Sequence, residues 1–125
     1  MAAHLRIYSS EPHPSAHVWV ESVGQRRVPE IARDLLTFSE PLWIGLRGDL
    51  APLAPAVAFA RRASQLPLAG YLLIDGDFPR VGELDWPDAP VAYLATLPDY
   101  ETHAKAALAR GWKVISHLAD LAADL

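Results

Sequence analysis

Leu42-Trp43-Ile44-Gly45-Leu46 is a nearly continuous apolar run, and it carries the fold. Such a run reads as a strand covered on both faces, the pattern of a parallel sheet. On its N-terminal side Pro29 opens a helix, a position where the missing N–H costs little. Ile31, Leu35 and Phe38 follow at i, i+4 and i+7, Ala32 and Leu36 widen the stripe, and Pro41 stops it. On the C-terminal side Pro52 and Pro55 precede a second helix, with Val57, Ala60 and Ser64 on one side. Arg61 and Arg62 at its far end suit the negative end of the helix dipole.

The alternation continues in both directions. His4 to Tyr8 is a short strand, and His17-Val18-Trp19-Val20-Glu21 is a β-rich run. Tyr71-Leu72-Leu73-Ile74 is a buried strand ending at Asp75-Gly76-Asp77, and residues 76–90 read as an irregular crossover without helical period. Trp86, between Asp85 and Pro87, is expected to stand exposed there and to wall a pocket or meet a partner. Pro90 to Ala95 is another strand. Residues 100–110 form a third helix with Tyr100, Ala104, Ala107 and Leu108 inward and Gly111 as its stop. Lys113-Val114-Ile115-Ser116 is the last strand, and Leu118, Leu121 and Leu125 mark a short terminal helix. The expected fold is one α/β domain over residues 1–125, three layers deep. Its sheet is open and mostly parallel, with about five strands and helices on both faces.

Composition narrows the function. The 125 residues suffice for one ordinary domain. With no Cys, the chain has no disulfide framework, zinc–thiolate site or cysteine nucleophile. Eleven Lys and Arg against fifteen Asp and Glu give a net charge of −4, which is no nucleic-acid footprint. No apolar run approaches a membrane span and the N-terminus has no apolar signal core, so a cytoplasmic protein is expected.

Ligands of an open parallel sheet bind beyond the carboxyl ends of its strands. The residues there are Glu21 and Ser22; Arg47, Gly48 and Asp49; Asp75 and Asp77; Thr96 and Asp99; Ser116 and His117. The stretch Leu42 to Ala51, followed by a helix ending in Ala60-Arg61-Arg62, resembles the nucleophile-elbow region of α/β-hydrolases: buried strand, G-x-S-x-G turn, helix. Gly70 to Asp75 resembles the next strand of that family. Val91 to Leu97 with Pro98-Asp99 resembles the strand before the triad acid. Ala109 to Ile115, then His117, resembles the final helix, strand and histidine loop. The resemblance covers residues 17–125 and implies Asp99 and His117 as remnants of the catalytic pair.

The departures matter more. Arg47 stands in place of the serine, and Asp49 in place of the second elbow glycine when Gly45 is the first. A guanidinium is no nucleophile. The strand whose loop supplies an oxyanion amide is missing or shrunk to residues 4–8, and residues 76–90 are too few for a lid domain. The expectation is therefore a domain without serine-hydrolase chemistry that binds a small anionic or carbonyl ligand, as a carrier or a non-hydrolytic biosynthetic enzyme. Arg47, Gly48, Asp49 and Asp75 would hold the ligand, while Asp99 and His117 would orient it. A surface Arg47 paired with Asp49 or Asp75, and Asp99 as a helix cap, are the plainer readings.

Other residues carry less. Asp75 and Asp77 offer two carboxylates but no third metal ligand, and Pro14 keeps His13 and His17 off one helix, so no metal or cofactor is expected. His103 reads as solvated. Ser9, Ser10 and Ser22 lie outside any elbow motif. Two rival functions remain: a hydrolase using an unusual nucleophile or a water activated by His117 and Asp99, and an interaction module that dimerises through an edge strand near residues 4–8 or 17–21.

Overall fold

The computed structural model describes residues 4–122. The strands are β1 (His4–Ser9), β2 (Val18–Trp19), β3 (Leu42–Arg47), β4 (Gly70–Ile74), β5 (Val91–Leu94) and β6 (Lys113–Ile115). They form one all-parallel sheet in the order β2-β1-β3-β4-β5-β6, so the sheet has six strands rather than about five. The helices are α1 (Arg27–Leu35), α2 (Ala54–Ala63), α3 (Glu101–Ala109) and α4 (Leu118–Ala122). None of the described helices is long and apolar enough to cross a membrane.

Alternation along the strands divides the core in two. Leu42, Ile44 and Leu46 of β3, with Tyr71 and Leu73 of β4, face a layer built by Ile31 and Leu35 of α1, Val57 and Ala58 of α2 and Ala107 of α3. Trp43, Leu72 and Ile74 face the other side, where α4 supplies Leu118 and Leu121 and the loop after β1 supplies Ala16. Both sets are buried, which is why these strands read as unbroken apolar runs. Each such side chain contributes about 1.5–3 kcal/mol of burial. The covering is uneven: three helices on one face, one short helix and a loop on the other.

Several local expectations shift for identifiable reasons. The run at 17–21 pairs over only two residues, Tyr8 with Val18 and Ser9 with Trp19. Helix α1 begins two residues before Pro29, which still lies in the first turn, where its missing N–H leaves no gap. It ends at Leu35, well before Pro41, because Phe38 N–H and the Thr37 hydroxyl turn back to the Leu35 and Asp34 carbonyls. The buried stripe of α2 is Ala54, Val57, Ala58 and Arg61, not Val57, Ala60 and Ser64. Arg61 is 2% exposed, so it is no surface cation. In α3, Ala107 is buried but Leu108 is exposed, since successive residues sit about 100° apart around the axis. Leu118 and Leu121 face the sheet as expected, whereas Leu125 lies outside the described residues.

Trp86 is the clearest correction. The crossover at 76–90 holds only a short 3-10 turn, Glu83–Asp85, yet Trp86 is 1% exposed. Its ring meets Tyr71 edge-on at 5.4 Å and Trp112 at 5.7 Å. No α-helix joins β4 to β5, and one large indole supplies the apolar cover that a helix would give.

Candidate functional site

β1 is flanked by β2 on one side and β3 on the other, so the chain leaves its first strand in one direction and returns past it in the other. The carboxyl ends of β1 and β3 therefore bound the crevice where such sheets take ligands. β1 delivers Ser9, Ser10 and Glu11 to that edge; β3 delivers Arg47, Gly48 and Asp49.

Arg47 is the last residue of β3 and its backbone is extended, φ −104° and ψ 140°. The left-handed residue of the turn is Gly48, φ +64°, one position later than an elbow centred on Arg47 requires. The Arg47 side chain is consequently turned back across the sheet toward β1 instead of standing at the apex. It is 13% exposed. Nη1 donates to Ser9 Oγ at 3.2 Å and lies 3.7 Å from the carboxylate of Glu11, a side chain 74% exposed. Nε is buried with no hydrogen-bond partner among the described residues. Neither Asp49 nor Asp75 bonds it. A covered guanidinium that uses so few of its five donors is under-satisfied.

Asp49 serves a different group. Oδ1 accepts from the Ser10 hydroxyl at 2.5 Å and Oδ2 from Arg27 Nη1 at 3.2 Å, while Arg27 Nε donates to the Gly24 carbonyl at 3.1 Å. With Trp19, Glu21 and Ser22 these residues line a cleft of about 540 Å³. The Trp19 indole N–H donates to the Ser10 carbonyl at 3.0 Å, which fixes the ring, yet Trp19 is 53% exposed. Behind it, Glu30 accepts from the Ser22 hydroxyl and from the backbone N–H groups of Glu21 and Ser22. The Ser22 hydroxyl above all holds the Glu30 carboxyl below its ordinary range. Trp19, Arg27 and Glu30 were not legible as site residues. The one signal was position, since Glu21 and Ser22 follow β2.

The other expected residues are placed elsewhere. Asp75 is buried at 3% exposure and accepts from Thr96 N–H at 2.7 Å, the Thr96 hydroxyl and Leu97 N–H at 3.3 Å. Three of its four lone-pair sites are used bracing the end of β4 against the loop after β5, and its burial keeps the carboxylate away from a ligand at the edge. Asp99 is exposed in the 3-10 turn Pro98–Tyr100, makes no side-chain hydrogen bond among the described residues, and caps no helix. His117 is exposed after β6; its backbone N–H donates to Asp120 Oδ2 at 3.1 Å and its imidazole bonds nothing among the described residues. Asp99 and His117 are not joined. They follow β5 and β6, and at about 4.8 Å per strand β6 lies roughly 14 Å across the sheet from β3.

His103 is not merely solvated. Nε2 lies 3.0 Å from Asp77 Oδ1, and the ring stacks on Tyr93 with 12° between planes and meets Phe78 edge-on. Burial pushes the Tyr93 phenol up to about 12. His17 Nδ1 accepts from Ile7 N–H and His13 Nδ1 from Ser15 N–H, so both serve the loop after β1. No group of three or more His, Asp or Glu among the described residues is placed to hold a metal ion.

Compared with protein-family models, with curated proteins and with solved structures, the chain matches none.

Proposed function

We propose that this chain is a minimal α/β-hydrolase-like domain without serine-hydrolase chemistry, which binds a small carboxylate or phosphate at the carboxyl edge of its sheet. The observation that carries the reading is Arg47: a guanidinium 13% exposed, with Nε unpartnered and only an exposed carboxylate at 3.7 Å to answer its charge. Covering a cation this way costs several kcal/mol unless something compensates, and a bound anion supplies that compensation with charge-assisted hydrogen bonds. Two further features support the loss of hydrolysis. The strand-to-turn junction holds Arg47 and Gly48 where a nucleophile would stand, and the His117 imidazole meets no carboxylate among the described residues. Without nucleophile, base and oxyanion donors together, acyl transfer has no assembled machinery.

Calorimetric titration of the full chain with acetate, succinate and inorganic phosphate tests this. Saturable binding that disappears in Arg47→Met supports the reading; equal binding by wild type and Arg47→Met, or no binding to either, overturns it. An activated-ester assay separates the hydrolase alternative, since turnover that depends on His117 would establish it.

Self-association is the second reading, and β6 favours it. β1 is paired on both sides and β2 has two residues, so the longer open edge is β6, on which Val114 is exposed. Light scattering at high concentration, on wild type and Val114→Lys, tests whether copies join there.

A further inference from the structure

We propose that the cleft beside Trp19 is a second binding site, separate from Arg47, and that it takes a neutral polyhydroxylated ligand the size of a monosaccharide. The cleft, about 540 Å³, falls within the range of small-molecule sites. Its wall is an indole held open: the Trp19 N–H is spent on the Ser10 carbonyl, so the ring cannot fold away, and about half of it faces solvent. Around that ring the polar groups alternate in sense. Asp49 receives one hydrogen bond on each oxygen, which leaves a lone pair on both. Arg27 spends one N–H on Gly24 and one on Asp49, which leaves three of its five. The Glu21 carboxylate accepts nothing among the described residues and lines the same cleft.

Charge selects among ligand classes. Arg27 answers Asp49, which leaves Glu21 as the carboxylate a cation would meet, while an anion meets Asp49 and Glu21 together. A hydroxyl donates and accepts at once, which suits a surface where free donors and free acceptors are interleaved. The C–H face of a sugar ring is apolar and flat enough to lie on an indole, while its rim hydroxyls reach Asp49 and Arg27. Arg47 does not line this cleft. The two sites can therefore fail independently.

The test is a titration of the full chain with the methyl glycosides of glucose, galactose and mannose, followed by the Trp19 indole resonance and by tryptophan fluorescence. At least one glycoside should shift that resonance saturably. Trp19→Ala should weaken binding about tenfold or more, Trp19→Phe should retain part of it, and Asp49→Asn should lower it severalfold. Arg47→Met should leave glycoside binding unchanged while removing anion binding. Three results overturn the proposal: no glycoside shifts the Trp19 resonance, tetramethylammonium or acetate shifts it instead, or Trp19→Ala binds glycosides as wild type does. Trp19 is exposed, so its variants keep the core intact.

Discussion

Arg61 Nη1 donates to the Leu35 carbonyl at 2.6 Å, so a cation carried by α2 closes the C-terminal end of α1. Nη2 reaches the Glu40 and Pro67 carbonyls at 3.1 and 3.0 Å, and Nε also donates to Pro67. One planar fork thus ties the loop before β3 to the loop before β4. The dipole it answers is that of α1, not of its own helix. Arg61→Met should destabilise the protein by about 2 kcal/mol, because four hydrogen bonds to the Leu35, Glu40 and Pro67 carbonyls are lost together. Arg61→Lys should recover only part of that loss, an ammonium being unable to span the fork. Urea-unfolding midpoints measure both.

Arg47 is expected to behave in the opposite sense. Its side chain is 13% exposed where Arg61 is fully buried, and it has one hydrogen bond where Arg61 has four. Arg47→Met should raise the stability of the free protein by about 1 kcal/mol, since a covered charge answered only by the exposed Glu11 carboxylate at 3.7 Å is exchanged for an apolar chain of similar length. The same urea titration reads it. A loss of stability comparable to that of Arg61→Met would mean that Arg47 is a structural brace.

Stability should fall at both ends of the pH scale. Burial alone would raise the Asp34 carboxyl, but the Arg6 guanidinium and the Tyr8 hydroxyl, at 3.0 and 2.5 Å, hold it below its ordinary range. Asp88 is held down in the same way by Tyr71 and Arg62. A depressed carboxyl stabilises above its unfolded pKa, so this contribution is lost as pH falls below about 4. The buried phenols act at the other end. Tyr8 and Tyr71 are pushed well above their usual range, chiefly by burial, and keep protons that the unfolded chain releases. Stability should therefore drop as pH rises above about 10. Unfolding midpoints across pH check this, and Asp34→Asn should flatten the acid limb.

The turn after β3 and the turn after β4 touch closely enough to couple. A β-carbon on Gly76 would lie 2.3 Å from the Gly48 carbonyl oxygen, so Gly76→Ala should cost about 2 kcal/mol and displace the turn beside Arg47. Asp75→Ala should cost about 2 kcal/mol through the donors it strands. Hydrogen exchange should locate that second effect at the Thr96 and Leu97 amides.

The sheet was legible because a parallel strand buried on both faces must be apolar at every position, as Leu42 to Leu46 and Tyr71 to Ile74 are. Side-chain destinations were less so. Arg61 and Arg62 are neighbours of one type, and only the rotation of α2 sends the first into the core and the second to Asp88. Trp86 looked exposed because its segment has no period, but burial there is set by what β4 and β5 lack above them. The position of Asp49 at the carboxyl edge followed from strand order. Its partners did not, since Ser10 and Arg27 lie 39 and 22 residues away and join it only once β1 and β3 are side by side.

The knot around Arg61 lies at the amino edge of the sheet, with the carbonyls of Leu35, Glu40 and Pro67 all on segments leading into strands. The Trp19 cleft and Arg47 lie at the opposite edge. Mutational tolerance should divide along the same line. Substitutions at Trp19, Glu21 or Arg47 can re-tune what is recognised without touching the contacts that hold α1, α2 and the central strands in register. A library restricted to Trp19, Glu21 and Arg47, with the Asp75-Gly76 turn held fixed, would then sample new recognition on an unchanged frame, whereas the same diversity around Arg61 would be spent on chains that do not fold.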